Sequence, residues 1–290
     1  MNLYKFLKQQ LKFAIYNRFG LVVIKSIFLR NDIYAQVTGT LWDAKSEILR
    51  ACIDFSLAKD NRLLTESRSQ SFQELVAVTI LGKLPQRIVI EAGAYDGVTY
   101  SNTYVIGRCS KQQTLLIEPN PLQFSLLVKN RTEKNVECLN LALSSVNGTG
   151  TLNTVADEPL FAAIPMAHAY DGNSKKREKK AVFVEVRLRM LREVIQERSI
   201  DGSFDLLFLD VEGHEVEVLE GLGDCSFKVG IIEVNNKLHR SNVCRLLFNK
   251  DYHVFDYPFS RNEVLAIESK TFQRSELKYC LEKFRIQSPY

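Results

Sequence analysis

A chain of 290 residues with 46% hydrophobic and 25% charged residues has the make-up of a soluble globular protein, which excludes disorder, collagen-like repeats and a pure coiled coil. It is long enough to bury a sizeable core, as one large domain or as a domain with a helical extension. Its 38 Lys and Arg against 34 Asp and Glu leave a net charge of +4, too weak a basic excess for a dedicated nucleic-acid binder.

Six cations, Lys5, Lys8, Lys12, Arg18, Lys25 and Arg30, precede the first acid, Asp32. Leu3, Phe6, Leu7, Leu11, Phe13 and Ala14 recur near helical spacing, so an amphipathic helix with a basic face is expected, either packed on the domain or in peripheral contact with an anionic membrane at its inner face. The apolar run at 21–24 is interrupted by Lys25 and falls far short of the roughly 20 residues of a membrane span. No cleaved signal peptide is read, because positive charge continues through the apolar part. The cysteines Cys52, Cys109, Cys138, Cys225, Cys244 and Cys280 form no C-x-x-C pair and no zinc-like cluster, and read as small buried hydrophobes in a reducing, cytoplasmic setting.

Ile48, Leu49, Cys52 and Phe55 share one helical stripe within 42–66, and Phe72, Leu75, Val76, Val78 and Ile80 begin a second helix that ends before Pro85. Residues 1–85 therefore read as an N-terminal helical region. From 86 to 290 short apolar runs alternate with helix-like stretches, at 87–91, 114–118, 136–141, 181–188, 204–210 and 228–234, the texture of a mostly parallel α/β sheet. Crossover helices are expected at 99–108, 121–131, 215–222 and 237–249, with Asn120 as N-cap and Pro121 at the first helical position of the second. Two final strands, 252–255 and 263–268, suggest an antiparallel edge. The stretch from about 153 to 180, with Pro159, Pro165, Gly172 and the charge run Lys175–Lys180, reads as an insertion or a lid.

The first run ends in Glu91 and turns through Gly93, Tyr95, Asp96 and Gly97, at the carboxyl end of a strand where open α/β sheets bind ligands. The second ends in Glu118-Pro119-Asn120, and Glu118 lies 25 positions beyond Gly93, near the spacing at which an acid reaches ribose hydroxyls. A dinucleotide needs G-x-G-x-x-G to seat its pyrophosphate, and that spacing is absent. A loop carrying Glu91 and Asp96 suits instead a donor with cationic amino and sulfonium groups, so S-adenosylmethionine is favoured over NAD. Tyr95 and Tyr100 are placed to pack against such a donor, with core edge as their alternative. The fourth stretch, FDLLFLDVEGHEVEVLEGL, crowds Asp210, Glu212, His214 and Glu215 at a strand end, where helix capping is the competing role of the two glutamates. GIIEVNN brings Glu233 and Asn235 to a neighbouring rim.

Together, IEAGAYDGVTYS, LLIEPNPLQFSLLVKN, LALSS.NGTGTL and LLFLDVEGHEVEVLEGL resemble the FkbM family of S-adenosylmethionine-dependent methyltransferases, over roughly 87–236. Glu91 stands for the family's first Asp and Phe208 for a Lys, while Asp210, Glu212, Gly213 and Glu215 are kept. Met190-Leu191-Arg192 replaces the family's T-L-D, a departure expected to alter the acceptor pocket. The resemblance implies a Rossmann-like methyltransferase fold and methyl transfer to a hydroxyl of a sugar, glycan or related natural product, in polysaccharide assembly. It also implies donor binding by Glu91, Gly93, Tyr95, Asp96, Gly97, Glu118, Pro119, Asn120 and Asp210.

Catalytic candidates are Asp210, Glu212, His214 and Glu215, with His214 as a general base near its ordinary pKa of ~6.5. A metal-assisted version would hold Mg²⁺ by Asp210 with Glu233 and Asn235, an oxygen donor set. The alternatives are an NAD-dependent sugar dehydrogenase or epimerase, and a non-catalytic module of the same fold that docks on membrane or a partner enzyme.

Overall fold

The computed structural model describes residues 39–59, 62–82, 87–109, 112–155, 181–270 and 281–287. The expected basic N-terminal helix, Cys280, the Lys175–Lys180 run and all but the first residues of the expected insertion lie outside them. Three helices come first, α1 (Gly39–Lys59), α2 (Arg62–Thr65) and α3 (Gln73–Leu81). β1 (Arg87–Ala92), β2 (Gln112–Ile117), α4 (Pro121–Asn130) and β3 (Val136–Leu139) follow. Next are β4 (Ala142–Leu143), β5 (Gly148–Val155), β6 (Ala181–Arg189) and α5 (Leu191–Gln196). β7 (Ser203–Leu209), α6 (Glu215–Gly221), β8 (Ser226–Glu233), α7 (Lys237–Asn249), β9 (Tyr252–Asp256) and β10 (Glu263–Glu268) complete the set. No helix among the described residues is long and apolar enough to cross a membrane.

The central sheet has seven strands in the order β3-β2-β1-β7-β8-β10-β9. β3, β2, β1, β7 and β8 pair in parallel, and β10 runs antiparallel to both its neighbours. The antiparallel pairing expected from the last two strands is present. Its antiparallel member stands second from the edge, and β9 takes the edge itself. Strand order reverses at β1, so the crevice between the carboxyl ends of β1 and β7 is the switch point at which such sheets receive ligands.

Alternate residues of each central strand enter opposite layers, as a sheet buried on both faces requires. Ile90, Leu207, Leu209 and Ile232 pack with Leu191, Val218 and Val243 from α5, α6 and α7. Val89, Leu206, Phe208 and Val229 pack with Ile48, Cys52, Leu75 and Val76 from α1 and α3. The N-terminal helices thus share the core of the sheet. Cys52, Cys225 and Cys244 are buried and free, and burial pushes the Cys52 thiol up to about 12.

Two expectations need correction. The run 181–188 is not a strand of the parallel sheet; β6 pairs antiparallel with β5 and parallel with the short β4 in a separate three-stranded sheet. The helix expected at 99–108 is reduced to a single 3₁₀ turn, Ile106–Arg108. Its amides are captured elsewhere: those of Val105 and Ile106 donate to Glu74 Oε1 (2.8 and 2.7 Å), and that of Asn102 donates to Glu91 Oε1 (2.6 Å). Two buried carboxylates thus take donors that an α-helix would have given to its own carbonyls.

Candidate active site

A cavity of about 400 Å³ opens at the carboxyl ends of β1, β2, β7 and β8. Six carboxylates line it, Glu91, Glu118, Asp210, Glu212, Glu233 and Glu263, and among the described lining residues there is no Lys or Arg. Gly93, Tyr95, Pro119 and His214 also reach it.

The turn after β1 is built by backbone contact. Gly93 has φ +83°, and a Cβ there would lie 2.9 Å from the Asp210 carbonyl carbon and closer still to its oxygen. Gly93 and Ala94 amides both donate to the Ile117 carbonyl at 3.0 Å, and the Asp210 amide donates to the Ala92 carbonyl at 3.1 Å. The glycine therefore lets three strand ends converge, and its own amide is already used. Gly97 is a packing glycine, since a Cβ there would come within 2.6 Å of Arg131 Cγ and Leu127 Cδ1. Asp96 caps its own turn, accepting from the Val98 and Thr99 amides (2.9 and 2.6 Å). Neither Asp96 nor Gly97 lines the cavity; both shape the turn that carries Gly93 and Tyr95.

Glu91 is buried, with Asn102 N, Ser101 Oγ and Thr103 Oγ1 donating to its oxygens. Burial raises its pKa, opposed chiefly by the Thr103 and Asn102 hydrogen bonds. Its placement is that of an organiser of the 101–106 loop. Glu118 is arranged differently: Oε2 accepts from the Tyr95 amide and Oε1 from the Asn120 amide, each at 2.8 Å. A carboxylate has about four lone-pair sites, so two remain for hydroxyl donors. Burial, with the Asp210 charge as a smaller cause, pushes Glu118 up to about 7. Asn120 is instead the N-cap of α4, accepting from the Leu122 amide at 3.0 Å, and does not line the cavity.

Asp210, Glu212 and Glu233 meet on the cavity floor. Asp210 opens into the cavity yet is hemmed in by protein; burial raises its pKa, Glu233 hydrogen bonding opposes this and the Glu215 charge adds to it. Glu233 is raised by burial and then by Asp210, the relation of two carboxyls that share one proton. Glu212, on a left-handed backbone (φ 54°), is pushed up to about 7 by burial and by the Asp210 and Glu215 charges.

Glu215 is fully buried and turned from the cavity. Its Oε1 accepts the Val211 and Gly213 amides (2.9 and 3.3 Å), and its Oε2 lies 3.0 Å from His239 Nε2, so it closes the turn that leads into α6. These bonds go to amides ahead of α6 rather than to the helix's own first amides, so Glu215 fixes the turn and does not cap the helix. His214 Nε2 is 3.2 Å from Ser144 Oγ and Nδ1 3.5 Å from Glu217, burial lowers its pKa, and the ring tethers the residue after β4 to the start of α6.

The expected metal set does not assemble. Asn235 is exposed, does not line the cavity, and donates its amide to His239 Nδ1 at 3.3 Å. Among the described residues Asp210, Glu215 and Glu233 bring oxygens within 4.8 Å of one another. Glu215 Oε1 is spent on the turn and its Oε2 faces His239. Asp210 and Glu233 then lie together without the Asn235 oxygen, which is not the set expected for Mg²⁺. Met190, Leu191 and Arg192 open α5 away from the cavity lining, and Phe208 is buried in the core, so of the three family departures only Glu91 reaches the cavity.

Sequence reasoning missed Glu263 and Gln73. Glu263 pairs in register with Glu233 across β10 and β8, and Gln73 Nε2 donates to Glu263 Oε1 at 2.7 Å. Burial pushes Glu263 up to about 7. Neither carries a local signal in the sequence, because Glu263 reaches the cavity only through the pairing of β10 with β8 and Gln73 only through Glu263.

Residues 91–256 match the family described as Methyltransferase FkbM domain. Methyltransferase sdnD of Sordaria araneosa is 29% identical over 167 residues, 50% of this chain and 64% of that protein. The crystal structure of methyltransferase FkbM from Methylobacillus flagellatus KT aligns at a TM-score of 0.39 and 11% identity, over 76% of this chain and 58% of that one. Aeropyrum pernix fibrillarin, solved with natively bound S-adenosyl-L-methionine, aligns at 0.36 and 13%, over 67% and 73%. The chain thus spans less than two thirds of the length of the first two relatives. With the family match covering more than half of its residues, the chain belongs to the FkbM methyltransferase domain family.

Proposed function

We propose that this chain transfers a methyl group from S-adenosylmethionine to a hydroxyl of a sugar or similar polyol. The single observation that carries the donor is the charge of the cavity, six carboxylates with no Lys or Arg among its described lining residues. Such a site attracts the sulfonium and ammonium of the donor. A dinucleotide would bring a pyrophosphate against Glu91, Glu118 and Glu212 with no cation to answer it, which speaks against the dehydrogenase alternative. The family match and the sdnD relative support the same donor.

When bound, the donor supplies an electrophilic methyl on positively charged sulfur. The chain's own work is to bind, orient and take a proton. Glu118, with two lone-pair sites unspent, is placed to accept a ribose diol. The left-handed Tyr95 (φ 51°) donates its amide to Glu118 and holds that carboxylate toward the cavity.

An acceptor hydroxyl must lose a proton as it is methylated, and Glu212 at about 7 is half ionised at neutral pH beside the Asp210 and Glu233 pair. We assign the proton to this cluster rather than to His214, whose Nε2 is occupied by Ser144. Calorimetric titration with S-adenosylmethionine, S-adenosylhomocysteine and NADH tests the reading. Micromolar binding of the first two and no heat from NADH is expected; heat from NADH alone overturns it.

A further inference from the structure

Six residues that line the cavity fall outside the family-matched segment: Gln70, Ser71 and Gln73 before it, and Ser260, Asn262 and Glu263 after it. They form one wall. Gln73 Nε2 donates to Glu263, the Ser71 amide donates to Gln73 Oε1 at 2.7 Å, and the Tyr257 hydroxyl donates to the Ser71 carbonyl at 2.8 Å. Phe72 stands edge-on to Phe259 with ring centroids 5.8 Å apart, and the Val234 amide donates to the Asn262 carbonyl at 2.7 Å, which ties the wall to the end of β8 beside Glu233.

Resting on the methyltransferase reading above, we propose that this wall selects the acceptor, and that it takes an uncharged or amine-bearing polyol and rejects a phosphorylated or carboxylated one. Gly93, Tyr95 and Glu118 lie inside the matched segment, whereas the wall lies outside it. Carboxamides and hydroxyls donate and accept at once, as a polyol demands. Glu263, paired in register with Glu233 at the base of the wall, and the negative charge of the adjoining Asp210 and Glu233 pair oppose an anion, and no described lining residue offers a compensating cation. Gln70 and Asn262 are exposed at the cavity mouth, so removing their side chains leaves the core intact.

The test uses the full chain, first titrated with S-adenosylhomocysteine and then, loaded with it, mixed with methyl glucoside, glucosamine, glucose 6-phosphate or glucuronic acid under saturation-transfer NMR. Transfer to the first two is expected, with the two anionic sugars at least about tenfold weaker. The Gln70→Ala, Asn262→Ala double variant should lose most of the sugar signal and keep its S-adenosylhomocysteine affinity within about twofold. Equal binding of either anionic sugar, no signal from the neutral one, or an unchanged signal in the double variant overturns the proposal. Absence of heat with S-adenosylhomocysteine counts against the methyltransferase reading instead, and the sugar series run on the unloaded chain then still decides the wall.

Discussion

Gly93→Ala isolates the backbone convergence on which the site stands. The left-handed φ of +83° costs an alanine about 1–2 kcal/mol by itself. Its Cβ would also drive into the Asp210 carbonyl, so β1 and β7 must part at their ends. That puts at risk the hydrogen bonds from Asp210 N to Ala92 O and from Gly93 N to Ile117 O, each worth about 1 kcal/mol net. The total is about 3–4 kcal/mol, a large part of an ordinary stability of about 5–15. It corresponds to a fall in Tm of roughly 6–16 °C at this chain length.

Gly202→Ala is the matched control, because Gly202 also has a positive φ (+65°) but nothing lies within 4 Å of an added Cβ. It should lose only the conformational share, about 1–2 kcal/mol. Urea unfolding of both variants gives the difference directly. Equal losses in the two would refute the convergence argument, because the clash with Asp210 would then contribute nothing.

Three further outcomes are expected. Glu118→Ala should weaken S-adenosylmethionine binding about 10- to 100-fold by calorimetry, the scale of a lost charge-assisted hydrogen bond of about 1.5–3 kcal/mol, and unchanged affinity would contradict its assignment to the donor. Glu74, Glu118 and Glu263 are raised to about 8, 7 and 7, so without donor their contribution to stability is full below the ordinary glutamate range and is lost as pH climbs from there through 7 to 8, read as a falling Tm. Methyl transfer, once an acceptor is in hand, should survive EDTA and persist in His214→Ala, whereas Glu212→Gln should lower kcat at least about tenfold.

How far the sequence could be read depends on whether its signals were local. LLFL in β7 and the apolar run of β1 are continuous, as strands buried on both faces must be, and they were placed correctly. AVFVEVRLR in β6 alternates apolar with Glu185 and Arg187, which is the pattern of a half-exposed antiparallel strand; Phe183 is indeed 65% exposed. Reading it as another parallel strand overlooked that period. The missing helix at 99–108 was illegible, because the acids that take its amides arrive from Glu74, about 30 residues upstream, and from the end of β1. The strand-end acids Glu91, Glu118 and Asp210 were legible through their position after apolar runs. Gln73 and Glu263 were not, since 190 residues separate the partners and only the fold brings them together.

The acids of the site explain one another only if something cationic completes them. Six carboxylates around about 400 Å³ resist ionising together: burial first, and the Asp210 charge after it, push Glu118, Glu212 and Glu263 up to about 7. Protons are the cheapest counter-charge, and a sulfonium with its neighbouring ammonium is a better placed one. Donor binding must therefore expel protons, and by linkage it must tighten as pH rises, by up to about tenfold per carboxylate between pH 6 and 8. S-adenosylhomocysteine keeps the ammonium but lacks the sulfonium charge, so its affinity should climb less steeply over the same range. Parallel pH profiles for the two ligands, measured by calorimetry in buffers of different ionisation enthalpy, would show that the carboxylates answer the ammonium alone and that the sulfonium lies elsewhere.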